Sequence, residues 1–196
     1  MEKVIFLDRD GTLNEEVNYL YRREELILFD GVPEALKLFK EHGYRLVVVT
    51  NQAGVARGYY GEEDVVKLHR YMNDLLRPRG AEIDAFYYCP HHPEHGIGGY
   101  GISCHCRKPE TGLFEMAERR FALDKARSWM IGDKMSDILA GKNYGVHTAL
   151  VGTGYGAEVN REQEKKGEVP YDIYGATLLE AARKIIGGQN GIRRGE

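Results

Sequence analysis

Three short apolar runs in this chain each end in a polar triplet, and that repetition limits the fold more than any other feature. Val4-Ile5-Phe6-Leu7 runs into Asp8-Arg9-Asp10-Gly11-Thr12, Leu46-Val47-Val48-Val49 into Thr50-Asn51-Gln52, and Ser128-Trp129-Met130-Ile131 into Gly132-Asp133-Lys134. Continuous apolar runs closed by turn residues read as buried parallel strands. Segments with helical period separate them. One opens at Asp30-Gly31-Val32-Pro33, buries Ala35, Leu36, Leu38 and Phe39, and stops at Gly43. Others are expected at 62–76, 111–121 (with Thr111 as cap), 136–143 and 178–186. Further strands are expected at 83–88, 146–151 and 172–174. Stretches 14–28, 53–60 and 90–107 read as loops, and 152–169 as loop or a short helix. Strands alternating with helices imply a three-layer α/β/α sandwich with a parallel, Rossmann-like sheet and right-handed crossovers. One domain is expected over 1–187, with no large cap domain and a flexible tail at 188–196.

In such a sheet, ligands bind in the crevice beyond the carboxyl ends of the strands. The three triplets share that edge. In an extended chain Asp8 and Asp10 point the same way and Arg9 the other. Two carboxylates so placed suit metal-dependent phosphoryl transfer, one as nucleophile and metal ligand, the other as acid and base. A phosphate dianion resists an anionic nucleophile, so the site must first neutralise charge. Mg²⁺ takes oxygen ligands and commonly one or two carboxylates plus a substrate phosphate. Asp8 and Asp133 can supply those carboxylates. Arg107 and Lys108 add positive charge, and Thr50 adds a hydrogen bond.

Composition narrows the alternatives. A chain of 196 residues can bury one substantial core, and a net charge of −3 favours neither nucleic acid nor an anionic membrane. No apolar run approaches the roughly 20 residues of a membrane span. Met1-Glu2-Lys3 leads straight into the first strand without a basic-apolar leader, so a cytoplasmic protein is expected, and with no apolar patch standing out, a monomer. All three cysteines lie at 89, 104 and 106, too clustered for a disulfide scaffold. With a histidine they make a structural zinc set, Cys89-x-His91 and Cys104-x-Cys106, tetrahedral and closed to water. The loop between the pairs holds Gly96, Gly98, Gly99 and Gly101 and almost no apolar residues, so it needs such a staple. His92, His95 and His105 are close enough to compete, and spacing favours His91.

Asp-Arg-Asp-Gly-Thr (8–12), Thr-Asn-Gln (50–52), Arg-Lys-Pro (107–109) and Gly-Asp-Lys-Met-Ser-Asp (132–137) resemble the motif set of the haloacid dehalogenase (HAD) superfamily of aspartyl phosphatases. Within it, TNQAGVARG (50–58), CPHHPE (89–94) and CHCRKP (104–109) are similar to the heptose bisphosphate 7-phosphatases. That resemblance implies hydrolysis of the 7-phosphate of D-glycero-D-manno-heptose 1,7-bisphosphate through an aspartyl phosphate. It makes Asp8 the nucleophile and Asp10 the acid/base. It places Mg²⁺ on Asp8, the Asp10 carbonyl and Asp133, and the phosphoryl group on Thr50, Arg107 and Lys108. It supports zinc on Cys89, His91, Cys104 and Cys106. It puts Glu16, Val17, Asn18, Tyr19, Asn51, Gln52, Ala53 and Lys134 against the sugar, with Arg57 offered for the second phosphate. Many HAD relatives carry an acid where Lys134 stands; a lysine cannot bind the metal and is expected to face substrate or nucleophile, with Asp137 as a partner. Two other readings stay open: a histidinol-phosphate phosphatase, and a zinc-stapled binding module without chemistry. The choice between α and β anomer of the sugar 1-phosphate is open as well.

Overall fold

The computed structural model describes residues 1–192. Six strands form one parallel sheet: β1 (Lys3–Leu7), β2 (Tyr44–Asn51), β3 (Ala85–Cys89), β4 (Trp129–Gly132), β5 (His147–Val151) and β6 (Ile173–Gly175). Their spatial order is β3-β2-β1-β4-β5-β6. Such a sheet reverses direction beside β1, the usual place for a crevice. The central register pairs Leu7 with Val48 on one side and with Ile131 on the other. Asp8, Thr50 and Asp133 therefore leave the sheet at one level.

Helices cover both faces: α1 (Val32–Glu41), α2 (Ala53–Ala56), α3 (Glu62–Leu76), α4 (Gly112–Glu118), α5 (Met135–Tyr144), α6 (Gly156–Lys166) and α7 (Leu178–Ile192). Residues Val4 to Leu7 are all fully buried, because alternate side chains enter opposite cores. Ile5 and Leu7 join Leu36, Phe39, Leu68, Met72, Ala181 and Ile185 on one face. Val4 and Phe6 join Leu113, Phe114, Met130 and Tyr144 on the other. Among the described residues no helix is long and apolar enough to cross a membrane.

Several expectations shift. Thr111 does not cap α4; its hydroxyl instead lies 2.7 Å from the Glu115 carboxylate. β3 starts at Ala85 rather than 83, because the Asp84 carboxylate takes the Leu46 N–H that a strand carbonyl would take. A four-residue helix, α2, interrupts the expected 53–60 loop. Within 152–169 the helix is an eleven-residue one, α6. Its only buried residues are Gly156 and Gln163, so it left no apolar stripe to read. α7 continues to Ile192, through residues expected to be a tail. Gly187 and Gly188 weaken a helix, yet the packed Leu178–Ile186 segment supplies the nucleus from which further turns propagate. The last four residues of the expected tail, 193–196, lie outside the described residues.

Candidate active site

The crevice above β1, β2 and β4 is an open pocket of about 340 Å³. Asp8, Asp10, Thr50, Arg107, Lys108, Lys134 and Asp137 line it. Asp8 follows β1 directly, and its N–H donates to the Ile131 carbonyl at 2.9 Å, so the sheet itself fixes its position. Ligand oxygens of Asp8, Asp133 and Asp137 all lie within 4.8 Å of one another, and the three residues are buried. Among the described residues one ammonium pairs with them directly, and a second, that of Lys134, acts on Asp133 and Asp8 through its charge. Lys108 Nζ, with its side chain 2% exposed, stands 2.9 Å from Asp8 Oδ1 and 2.6 Å from Asp137 Oδ1. Burial alone would lower the Lys108 pKa, but the charges of Asp137 and Asp8 outweigh it and hold the ammonium above its ordinary value.

Three buried acids against Lys108, with Lys134 helping Asp133 only in part, still leave a deficit of positive charge, and it falls on Asp133. Burial, then the charges of Asp8 and Asp137, push its carboxyl up to about 8. One of its oxygens accepts the Tyr155 N–H at 3.0 Å; the other, Oδ1, has no hydrogen-bond partner. A buried, unpartnered carboxylate oxygen beside a second acid fits a hard divalent cation. The backbone crowds in around it. Gly11 has φ +81°, and a Cβ there or at Gly154 would collide with the Asp133 carboxylate. Asp137 is committed elsewhere: Oδ2 accepts the Lys134 N–H at 3.0 Å, and Oδ1 faces Lys108. The Lys134 ammonium does not pair with Asp137. It reaches Glu16 at 3.0 Å, across the mouth of the pocket.

Asp10 sits differently. Both its oxygens are taken by donors: Arg9 Nε at 3.1 Å and Nη2 at 2.9 Å, Asn14 Nδ2 at 3.0 Å and Gln52 Nε2 at 3.0 Å. Burial would raise its carboxyl, but the Arg9 charge and these bonds outweigh burial and hold it below the ordinary range.

The residues expected to touch a sugar divide. Glu16, Asn18, Tyr19, Asn51, Gln52, Ala53 and Lys134 line the pocket. The amides of Asn51 and Gln52, however, are already in use. Asn51 accepts the Lys108 N–H at 3.0 Å and donates to its carbonyl at 3.1 Å, clamping the backbone that carries the lysine. Gln52 donates to Asp10 and to Thr50 Oγ1 and accepts from Tyr60 at 2.8 Å. Val17 packs on the core instead of the pocket. Arg57 is absent from the pocket wall and lies over the Tyr19 ring at 5.7 Å. Tyr60, Ser136 and Tyr155 line the pocket and were not singled out in the sequence. Ser136 stands inside the 132–137 motif without a role assigned to it, whereas no motif marks Tyr60 or Tyr155; only their neighbours in the fold do.

The loop 90–107 closes on a four-ligand cluster. Cys106 Sγ lies 3.1 Å from Cys89 Sγ, 3.2 Å from Cys104 Sγ and 3.4 Å from His91 Nδ1. Cys89 and Cys104 are 3.4 Å apart, and Cys89 is 3.8 Å from His91 Nδ1. No disulfide joins them. A tetrahedron built on metal–sulfur bonds of about 2.3 Å has sulfur–sulfur edges of roughly 3.8 Å, so this cluster is somewhat tighter than a filled site, and its four ligand atoms are close enough together to hold a metal. The rival histidines point elsewhere: His92 accepts from the Glu94 and His95 amides, and His105 pairs with Glu115. The cluster couples to the pocket through Arg107, whose Nη1 donates to the His91 carbonyl at 3.1 Å.

Comparison with known proteins agrees with this geometry. The HAD-hydrolase-like family matches residues 105–181. A D-glycero-beta-D-manno-heptose-1,7-bisphosphate 7-phosphatase from Haemophilus ducreyi is 44% identical over 170 residues, 86% of this chain and 92% of the relative. A D-glycero-alpha-D-manno-heptose-1,7-bisphosphate 7-phosphatase from Burkholderia mallei is 44% identical over 76% of this chain and 79% of its own. The crystal structure of the D,D-heptose 1,7-bisphosphate phosphatase from B. bronchiseptica, complexed with magnesium and phosphate, superposes with a TM-score of 0.83 at 28% identity, covering 95% of this chain and 99% of its own.

Proposed function

This chain belongs to the heptose-1,7-bisphosphate 7-phosphatase family of HAD-like hydrolases, and we propose that it removes the 7-phosphate of D-glycero-D-manno-heptose 1,7-bisphosphate through a phosphoryl group carried on Asp8. The observation that carries the reading is the buried triad Asp8–Lys108–Asp137 beside the Asp133 carboxylate, whose Oδ1 has no hydrogen-bond partner. Magnesium, held by Asp8, Asp133 and the Asp10 carbonyl, would supply the positive charge that lets an anionic nucleophile approach a phosphate dianion.

The chain's own groups do the rest. Lys108, anchored by Asp137, and Arg107, tethered to the cysteine loop, bind the equatorial phosphoryl oxygens, and the Thr50 hydroxyl adds a hydrogen bond. An Asp8 oxygen bonds to phosphorus as the bond from phosphorus to the C7 oxygen breaks, and Asp10, which must first take up a proton in the substrate complex, gives it to that oxygen. Asp10 then takes a proton from water as the water attacks phosphorus, which releases phosphate and restores Asp8. Glu16 and Lys134, joined across the mouth, orient the sugar together with Asn18 and Tyr19. Arg57, with a buried Nε that lacks a partner, is offered to the 1-phosphate.

At the cysteine loop we assign zinc to Cys89, His91, Cys104 and Cys106, in a structural role. The test is a kinetic panel of the α and β heptose 1,7-bisphosphates and histidinol phosphate. The reading expects a heptose bisphosphate to have the highest kcat/KM. Faster turnover of histidinol phosphate overturns it. The relatives carry both anomer names at the same identity, so the panel also fixes the anomer.

A further inference from the structure

Arg9 is the largest fully buried side chain of the described protein, and the mechanism above gives it no part. It sits between the two catalytic acids in sequence but belongs to neither the phosphoryl site nor the sugar site. Its guanidinium grips both oxygens of Asp10, its only ion-pair partner among the described residues, at 2.9 and 3.1 Å. The same Nη2 also lies 3.0 Å from the Gln52 side-chain Oε1 and 3.2 Å from the Leu20 backbone carbonyl, and Nη1 lies 3.3 Å from His69 Nε2. Gln52 then donates to Asp10 as well, and Tyr60 orients Gln52. His69, stacked on Phe86, closes the back of the cage.

We infer that Arg9 is a positioning residue that fixes the Asp10 carboxylate for proton transfer and plays no part in the attack by Asp8. The inference rests on the proposed function and adds a division of labour to it. Two features support it. The cage holds Asp10 in one rotamer aimed at the pocket, which a single carboxylate on a turn would not keep by itself. It is also reciprocal. If Asp10 swings out, a fully buried guanidinium loses its only counter-charge, so the cage draws the carboxylate back after each proton transfer. Asp8 is outside this arrangement, since its partner is Lys108.

Leaving-group dependence separates this role from general support of the fold. A sugar alkoxide needs a proton to depart, whereas p-nitrophenolate does not. A fall in kcat for the heptose bisphosphate at unchanged KM, not shared by p-nitrophenyl phosphate, reads loss of the proton donor apart from loss of sugar contacts. Arg9→Met is expected to lower the sugar value by about 10²-fold, the usual contribution of a positioned acid. It should lower the aryl value less than about threefold, far below what loss of that acid contribution costs. Arg9→Lys, which keeps the charge but loses the fork, should fall between. Asp10→Asn should show the same selectivity at full strength. If Arg9→Met does not fold, His69→Leu removes the link at the back of the cage without touching the pocket wall and should show the same selective loss in smaller measure. Equal losses on both substrates in the folded variants overturn the positioning role. Wild-type enzyme inactive on the heptose bisphosphate overturns the function reading instead, and an Asp10→Asn without selectivity overturns the acid role of Asp10.

Discussion

Replacing Asp133 by asparagine should make the magnesium-free protein more stable while it destroys activity. Asp133 is fully buried among Asp8 and Asp137, and its carboxyl is pushed from 3.8 to about 8, first by burial and then by those charges. A carboxyl whose folded pKa lies above its unfolded value binds a proton more tightly when folded. Its contribution therefore declines as pH rises from 3.8 toward 8. At pH 7 the interval above 3.8 is worth up to about 4 kcal/mol, at about 1.4 kcal/mol per unit. Asparagine removes that cost: its carbonyl can still accept the Tyr155 N–H, and its amide can donate toward the acids. For a chain of this size the gain corresponds to roughly 8–16 °C at most. The assay is calorimetry of both proteins in magnesium-free buffer, without a chelator that would also attack the thiolate cluster, from pH 5 to 8. The account expects the variant to melt higher, by a margin that grows with pH. Adding Mg²⁺ should raise the wild type, close the gap and leave the variant unmoved. A variant that melts lower at pH 8 without magnesium refutes the charge-deficit argument.

Two further outcomes follow from the same structure. His69 is held neutral down to about 3, mainly by burial and then by the Arg9 charge, so its contribution is complete above 6.5 and is lost as pH falls below that value. His69→Gln should flatten the acid side of the stability curve, measured by urea unfolding between pH 4 and 7, where the wild type loses up to about 1.4 kcal/mol per pH unit from this group. Cys104→Ser should abolish the one zinc per chain expected by elemental analysis of the wild type, lower the melting temperature, and reduce turnover by displacing Arg107; a variant that keeps its zinc refutes the ligand set.

Much of this was legible in the chain because the groups proposed for catalysis sit where strands stop. The apolar runs ending at Leu7, Val49 and Ile131 fixed the positions of Asp8, Thr50 and Asp133, and α3 at Glu62–Leu76 matched its period residue for residue. The cysteine pairs were equally plain, since ligand chemistry needs them adjacent. What stayed hidden depends on the third dimension. Asn51 and Gln52 carry side chains suited to a sugar, and only their partners reveal that Lys108, Thr50 and Asp10 have claimed them. The Lys134 partner, Glu16, lies 118 residues away, while the helical neighbour Asp137 turned to Lys108. Arg9 reads as a residue on the wrong face of a strand, but β1 ends at Leu7, and the turn brings its guanidinium around onto Asp10. α6 lacked an apolar stripe, and α7 ran on through glycines.

The central claim is that the Asp8 carboxylate attacks phosphorus at a site needing a divalent cation. Phosphate release from the heptose 1,7-bisphosphate by wild type and by Asp8→Asn, each with and without Mg²⁺, tests it most directly. The account predicts turnover only for the wild type with magnesium, with the variant slower by about 10³-fold or more, as for loss of a covalent nucleophile. Equal rates for the two proteins, or a wild type indifferent to magnesium, would contradict it.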